Sequence, residues 1–157
     1  MANPIFRKLH LGKTYHIINK NDCRYTIKSG NAAMDEHTLK DFYSDSLYDN
    51  HLVVVKTEKD IPVGVIEIII DEKFTIEMVA VDITMQGTGI GTRMMIKAES
   101  IAKQLNFKEI YLEAVENKIA FYKSRGFEAY AEPYYDEDWG LFFPMRKEID
   151  DNIQIVL

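Results

Sequence analysis

Residues 78–92, Met-Val-Ala-Val-Asp-Ile-Thr-Met-Gln-Gly-Thr-Gly-Ile-Gly-Thr, carry an apolar strand into a glycine-rich turn and straight on into an amphipathic helix. The first backbone N–H groups of a helix lack intrahelical partners and lie at the positive end of its macrodipole, so such a junction is suited to hold an anion. Gly87, Gly89 and Gly91 keep side chains away and let a phosphate reach the main chain itself. The plainer reading is a tight strand-to-helix turn in which glycine only supplies unusual dihedrals. Taken by itself, the segment admits both.

At 157 residues the chain reads as one domain, 1–157, long enough to bury roughly two-thirds of the surface its unfolded form would expose. An apolar share of 46% with 28% charged residues is ordinary for a globular protein. The richest apolar run, 63–70, is interrupted by Glu67, and nothing approaches the ~20 residues needed to cross a bilayer, so no membrane association is expected. The N-terminal residues carry charges without the apolar stretch of a signal peptide, and a cytoplasmic location is expected. A single cysteine, Cys23, excludes an intrachain disulfide framework. The net charge of −6 argues against nucleic acid as a partner, because a polyanion binder concentrates a basic surplus on one face. It suits a cationic substrate instead, and any polyphosphate site must rely on local backbone donors.

Hydrophobic periodicity divides the chain into alternating elements. Residues 5–18 give no clear pattern beyond an extended segment with a short strand. Residues 23–28 alternate Cys, Tyr and Ile with polar residues and read as a strand, and a helix is expected from Asp35, with Leu39, Phe42, Tyr43 and Leu47 at helical spacing. The β-branched runs 51–57 and 62–70, then 74–81, read as three consecutive antiparallel strands. After the glycine turn, Met94, Met95, Ala98, Ile101, Ala102 and Leu105 form one helical stripe, read as a face packed on a sheet. Residues 109–115 follow as a strand reached by a helical crossover and therefore parallel to the strand before it. A short helix at 118–124 ends at Gly126, and strands at 127–130 and 141–147 are joined by the acidic, aromatic segment 132–139. Residues 150–157 read as a tail or a short added strand. The order suggests a mixed sheet covered by helices.

Two familiar phosphate motifs fail. Counting from Gly87, the sixth position of a Rossmann fingerprint is Thr92, and counting from Gly89 it is Met94; no Gly-Lys-Ser or Gly-Lys-Thr follows to make a P-loop. What fits is Gln86-x-x-Gly89-x-Gly91, which resembles the acetyl-CoA pyrophosphate loop of the GNAT superfamily of N-acetyltransferases. The resemblance continues in order through Val79-Ala80-Val81 before the loop, a helix over 92–105, a strand over 109–115, and Phe121-Tyr122-Lys123-Ser124-Arg125-Gly126-Phe127. It spans about residues 74–130.

The resemblance implies an α/β fold: a mixed, mostly antiparallel central sheet flanked by helices, with a parallel strand pair splayed around the cofactor. Acetyl-CoA is the implied co-substrate. Its pantetheine arm would pair with the backbone of Val79, Ala80 and Val81, beside Gln86, and its pyrophosphate would sit on the amides of Gly87, Thr88, Gly89, Ile90, Gly91 and Thr92. The implied reaction is direct attack on the thioester by a primary amine of a small molecule or a protein, in a ternary complex and without an acyl-enzyme. A homodimer is compatible with the resemblance. The alternative is a catalytically silent acyl-CoA-binding or interaction module.

By its place in the Phe-Tyr-x-x-x-Gly-Phe segment, Tyr122 matches the family's proton donor, and a phenol with an ordinary pKa of about 10 is protonated at neutral pH. A core tyrosine is the plainer reading. Glu77, four residues before Val81, is the candidate base, with Glu67, Glu113 and Asp82 as substitutes or with all of them as surface acids. The family often carries an asparagine that contacts the cofactor arm seven residues before the tyrosine, whereas Asn117 stands five before Tyr122, which a shortened loop would explain, so Asn117 and Tyr122 are both expected beside the cofactor. His10, His16, His37 and His51 lack any paired metal spacing, so no metal site is expected, and Cys23 has no activating neighbour in sequence. The segment Tyr134-Tyr135-Asp136-Glu137-Asp138-Trp139 is suited either to hold a cationic amine or to form a solvated turn.

Overall fold

In the computed structural model, which describes residues 3–30 and 35–150, the β-branched runs become ten strands. They are β1 (Tyr15–Ile17), β2 (Thr26–Lys28), β3 (Glu36–Thr38), β4 (His51–Glu58), β5 (Ile61–Ile70), β6 (Phe74–Val81), β7 (Glu109–Val115), β8 (Glu128–Ala129), β9 (Tyr134–Asp136) and β10 (Gly140–Glu148). The main sheet runs β1-β4-β5-β6-β7-β10-β8, with β9 also paired to β10, and β2–β3 is a separate hairpin. Every pairing is antiparallel except that of β6 with β7, as a crossover through a helix requires. Three α-helices cover the sheet: α1 (Leu39–Asp45), α2 (Ile90–Gln104) and α3 (Ile119–Ser124).

Each face of the sheet has its own core. Ile66, Ile68, Phe74, Ile76, Ile110 and Leu112 pack against Ile90, Met94, Met95, Ala98 and Ile101 of α2. On the other face Val53, Val55, Val65 and Ala80 meet Leu39 and Phe42 of α1 together with Ile27 of β2. The middle of β5 is therefore buried on both sides, which is why it reads as a near-continuous apolar run. Each such side chain, fully buried, contributes roughly 1.5–3 kcal/mol. At Gly64 a Cβ would lie 2.6 Å from the Met94 sulfur, so the close approach of α2 to β5 depends on the missing side chain.

Local chemistry sets the boundaries. Lys59 and Asp60, both at positive φ (51° and 66°), form the two-residue loop between β4 and β5, whose primed-turn twist matches the strands. Helix α2 stops where Asn106 takes a left-handed conformation, with the Phe107 N–H donating to the Ala102 carbonyl and that of Asn106 to Lys103. Gly126 ends α3 in the same manner, as its position in the sequence suggests.

Five expectations need correction. Residues 20–24 form a 3-10 turn, not the start of a strand, so Cys23 lies outside the sheet and β2 begins at Thr26. Asn19 and Asp22 cap one another across that turn, and His16 binds the Asp22 carboxylate at 2.9 Å, which outweighs the alternation of Cys23, Tyr25 and Ile27. Residues 36–38 pair with β2, and the helix starts only at Leu39 and ends at Asp45. Helix α2 begins at Ile90, two residues early. The segment 132–139 is not a plain linker but carries β9, and of residues 127–130 only Glu128 and Ala129 pair with β10. The open segment 5–18 holds a 3-10 turn over Pro4–Lys8 and the strand β1. In the C-terminal tail, residues 151–157 lie outside the described residues.

Candidate active site

The parallel ladder between β6 and β7 is three residues long: Phe74 opposite Ile110, Thr75 opposite Tyr111, Ile76 opposite Leu112. It ends at a bulge. On β5, Glu67 and Ile68 are adjacent, but their partners on β6 are Met78 and Ile76, so Glu77 is the extra residue and β6 turns there. Beyond the bulge each strand is held only by its outer neighbour, Val81 by Gly64 and Val115 by Phe142. The strands thus fork, and main-chain groups of residues 78–81 that face β7 have no ladder partner. A cavity of about 1240 Å³ lies at the fork. Met78 and Val79 line one arm, Glu113, Ala114 and Val115 the other.

At the end of β6 the glycine turn takes the form the sequence indicated. Gly87 and Gly89 have φ of 80° and 86°, where glycine alone is unstrained. Gly91 does not; a Cβ there would make ordinary contacts, 3.8 Å from Phe121 and 3.9 Å from Val81. The first intrahelical bond of α2 runs from the Arg93 N–H to the Gly89 carbonyl at 3.0 Å, so the amides of Ile90, Gly91 and Thr92 precede it and remain open donors. Gln86 anchors the turn, its side-chain amide donating to the carbonyls of Ser29 and Val81. The Thr88 hydroxyl donates to the Met85 carbonyl. Sequence reasoning passed over Arg93, whose guanidinium lies 3.4 Å from where a Gly89 Cβ would be. A cation in the first turn of a helix opposes the macrodipole unless an anion joins it, and that was the available signal.

Tyr122 projects from α3 into the same cavity. Its ring stands edge-on to Phe121 and Phe127, with centroids 5.3 and 5.9 Å away, and burial pushes its phenol up to about 12. It stays protonated throughout the neutral range. Asn117, in the 3-10 turn Glu116–Lys118 between β7 and α3, lines the cavity too, so its five-residue spacing still brings it beside the tyrosine's cavity.

The carboxylates separate by environment. Glu67, buried on β5, is raised to about 7, first by burial, then by the charge and hydrogen bond of Asp45 and by the charge of Glu77. Its Oε2 lies 3.5 Å from the His51 Nδ1 and has no hydrogen-bond partner. Glu77, exposed on the bulge, lines the cavity beside it. Glu113 lines it from β7 and accepts the Tyr134 hydroxyl. Asp82 is taken up by structure instead: burial opposes its ionisation, but hydrogen bonds from Thr84 and Lys28 prevail and hold its carboxyl below the usual range. The Ala80 side chain points into the α1 core, so only its backbone is free to face the fork, while Val79 and Val81 pack toward α2. His37 reaches the cavity and meets Ser29 at 3.1 Å. Among the described residues no group of three metal-binding side chains occurs, and no helix is long and apolar enough to cross a membrane.

A glycine turn opening a helix at the end of β6, where β6 and β7 fork apart, is the arrangement that the resemblance to acetyl-CoA-dependent transferases implies. A family model described as an acetyltransferase (GNAT) domain matches residues 26–149. The chain belongs to the GNAT acetyltransferase family, whose acyl donor is acetyl-CoA. Solved structures agree in fold. Ard1 from Thermoplasma volcanium superposes with a TM-score of 0.69 at 21% identity, covering 88% of this chain and 98% of that one. The ribosomal-protein-S18-alanine N-acetyltransferase from Escherichia coli gives 0.69 at 20% identity, covering 90% and 98%. A GNAT acetyltransferase from Elizabethkingia anophelis with acetyl-CoA bound gives 0.62 at 16%, covering 86% and 97%. Among curated protein sequences none matches this chain.

Proposed function

We propose that the protein acetylates a primary amine by direct attack within a ternary complex, with Tyr122 as general acid and Glu67 as general base. The observation that carries this reading is that Tyr122, Asn117, Glu67 and Glu77 all line one cavity at the strand fork. The acyl donor enters along the fork, its pyrophosphate on the amides of residues 87–92 and its thioester between β6 and β7. The amine nitrogen forms a bond to the carbonyl carbon while its proton passes to Glu67; the C–S bond then breaks, and the departing sulfur takes the proton of Tyr122. The products are an amide and the free thiol.

Glu67 suits the base role better than Glu77, the residue favoured by sequence position. A base works best with a pKa near the operating pH, and Glu67, at about 7, meets that condition. Burial raises it most and Asp45 next, while Glu77 adds a smaller negative charge. Positioned acid–base groups of this kind are worth about 10²–10⁴ in rate, and the rest of the acceleration comes from holding amine and thioester together.

The experiment is calorimetric titration with acetyl-CoA followed by thiol release against amines, amino acids and short peptides. Binding with amine-dependent release supports the reading. Binding without release to any amine refutes transfer, and absence of binding refutes the glycine turn as the pyrophosphate site.

A further inference from the structure

The cavity holds more negative charge than amine transfer needs. The reacting nitrogen must be neutral when it attacks, so a single proton acceptor suffices, and Glu67 with Glu77 beside it already supplies one. Yet Glu113, Glu116 and Asp136 also line the cavity, against two lysines, Lys73 and Lys118. Lys73 is engaged, its ammonium lying 4.5 Å from the centre of the Tyr111 ring.

The wall formed by β7, β9 and β10 is built for a cation. The Tyr134 hydroxyl donates to Glu113 Oε2, and the backbone N–H groups of Asp138 and Trp139 donate to Asp136 Oδ1 at 2.8 and 3.0 Å. Both carboxylates are thus fixed through one oxygen, with Glu113 Oε1 and Asp136 Oδ2 outside those bonds. Trp139 lines the same cavity and is 46% exposed. Nearby, Tyr111 and Tyr130 already carry Lys73 and Arg146 against their rings, so aromatic–cation contacts are how this wall is assembled. Glu67 lines the same cavity, with its Oε2 turned to the His51 Nδ1 at 3.5 Å.

We propose that the acceptor is an aliphatic diamine or polyamine, whose second, persistently charged ammonium is held by Glu113, Asp136 and the face of Trp139 while the first amine reacts beside Glu67. This rests on the amine-transfer reading given above. A lysine side chain of a protein, flanked by neutral amides, presents one charge and leaves that wall unmatched.

The test compares 1,5-diaminopentane with pentylamine and Nα-acetyl-lysine amide. Thiol release is measured with acetyl-CoA, and binding is measured by calorimetry on the protein saturated with CoA. The expected result is a preference of about tenfold or more for the diamine in both KM and Kd, shrinking as salt is added. Asp136→Asn and Trp139→Leu should each bring the diamine-to-monoamine ratio toward one, and an unchanged affinity for CoA shows that these variants are folded. Release without preference overturns the cation wall and leaves transfer standing. Preferential diamine binding without release overturns transfer and leaves the wall standing. Neither binding nor release overturns both.

Discussion

The main-chain carbonyl of Tyr122 accepts the N–H of Phe127 at 3.1 Å, and the two rings meet edge-on 5.9 Å apart. The bond spans the end of α3 and is possible because Gly126 turns the chain at φ 91°. The spacing Phe-Tyr-x-x-x-Gly-Phe thus has a mechanical meaning: the residue proposed as acid is clamped by a glycine four positions on. Phe127, 1% exposed, fastens that clamp to the main core.

Gly126→Ala should therefore act on stability and on chemistry together. A left-handed alanine costs roughly 1–2 kcal/mol, and its Cβ would stand 3.2 Å from Lys147 Cε. The expected outcome is a loss of that size in urea unfolding, with turnover falling more than acetyl-CoA affinity.

Tyr122→Phe keeps the ring and removes the proton. Turnover should fall by roughly 10²-fold or more while acetyl-CoA affinity stays the same, because in the proposed mechanism the hydroxyl acts on the leaving sulfur. Burial keeps the phenol at about 12, so the wild-type pH profile should show no alkaline decline from this group below about pH 11. Equal turnover in the variant would remove Tyr122 from the acid role.

With Glu67 as the proposed base, the pH dependence has a definite sign. With saturating substrates, kcat should climb as Glu67 deprotonates, with a midpoint near pH 7. Glu67→Gln abolishes that limb, whereas Glu77→Gln removes a neighbouring negative charge and shifts the limb to lower pH. Stability moves the opposite way. Between about pH 4.5 and 7 the folded protein keeps a proton that the unfolded chain has released, so the wild type loses stability as pH rises through that window and Glu67→Gln does not. Thermal melts across that range would read the difference.

At the glycine turn, Gly89→Ala places a Cβ 3.4 Å from the Arg93 guanidinium and strains a φ of 86°. Reorienting the open amides there should weaken acetyl-CoA binding by about tenfold, the equivalent of ~1.4 kcal/mol, with little effect on kcat at saturation. Calorimetry gives the affinity directly.

The run from β6 through the turn to α2 was legible because every signal in it is local: an apolar strand, glycines at the bend and a helical stripe in adjoining residues. Residues 20–24 were misread although their cap is also local, since Cys23, Tyr25 and Ile27 imitate a strand's alternation. The strand β9 could not be seen because it pairs only with β10 and its tyrosines are exposed, which removes the apolar pattern. Glu67 was hidden for a different reason. Its burial and raised pKa come from β4, α1 and the bulge at Glu77, none of them adjacent in sequence, and the bulge itself leaves no mark on composition.

The placement of unpaired backbone in this sheet bears on where another strand could add to it. Sheet borders are where strands recruit other chains and seed aggregates. Here the bordering strands of the main sheet are three residues long at β1 and β9 and two at β8, too short to template a foreign strand. The free pairing groups lie inward, in the notch between β6 and β7, walled by helices and by the outer neighbours of both strands. The longest unpaired stretch of this sheet thus lies inside it and not at its rim, where in the proposed reading a slender acyl donor takes the place of a strand.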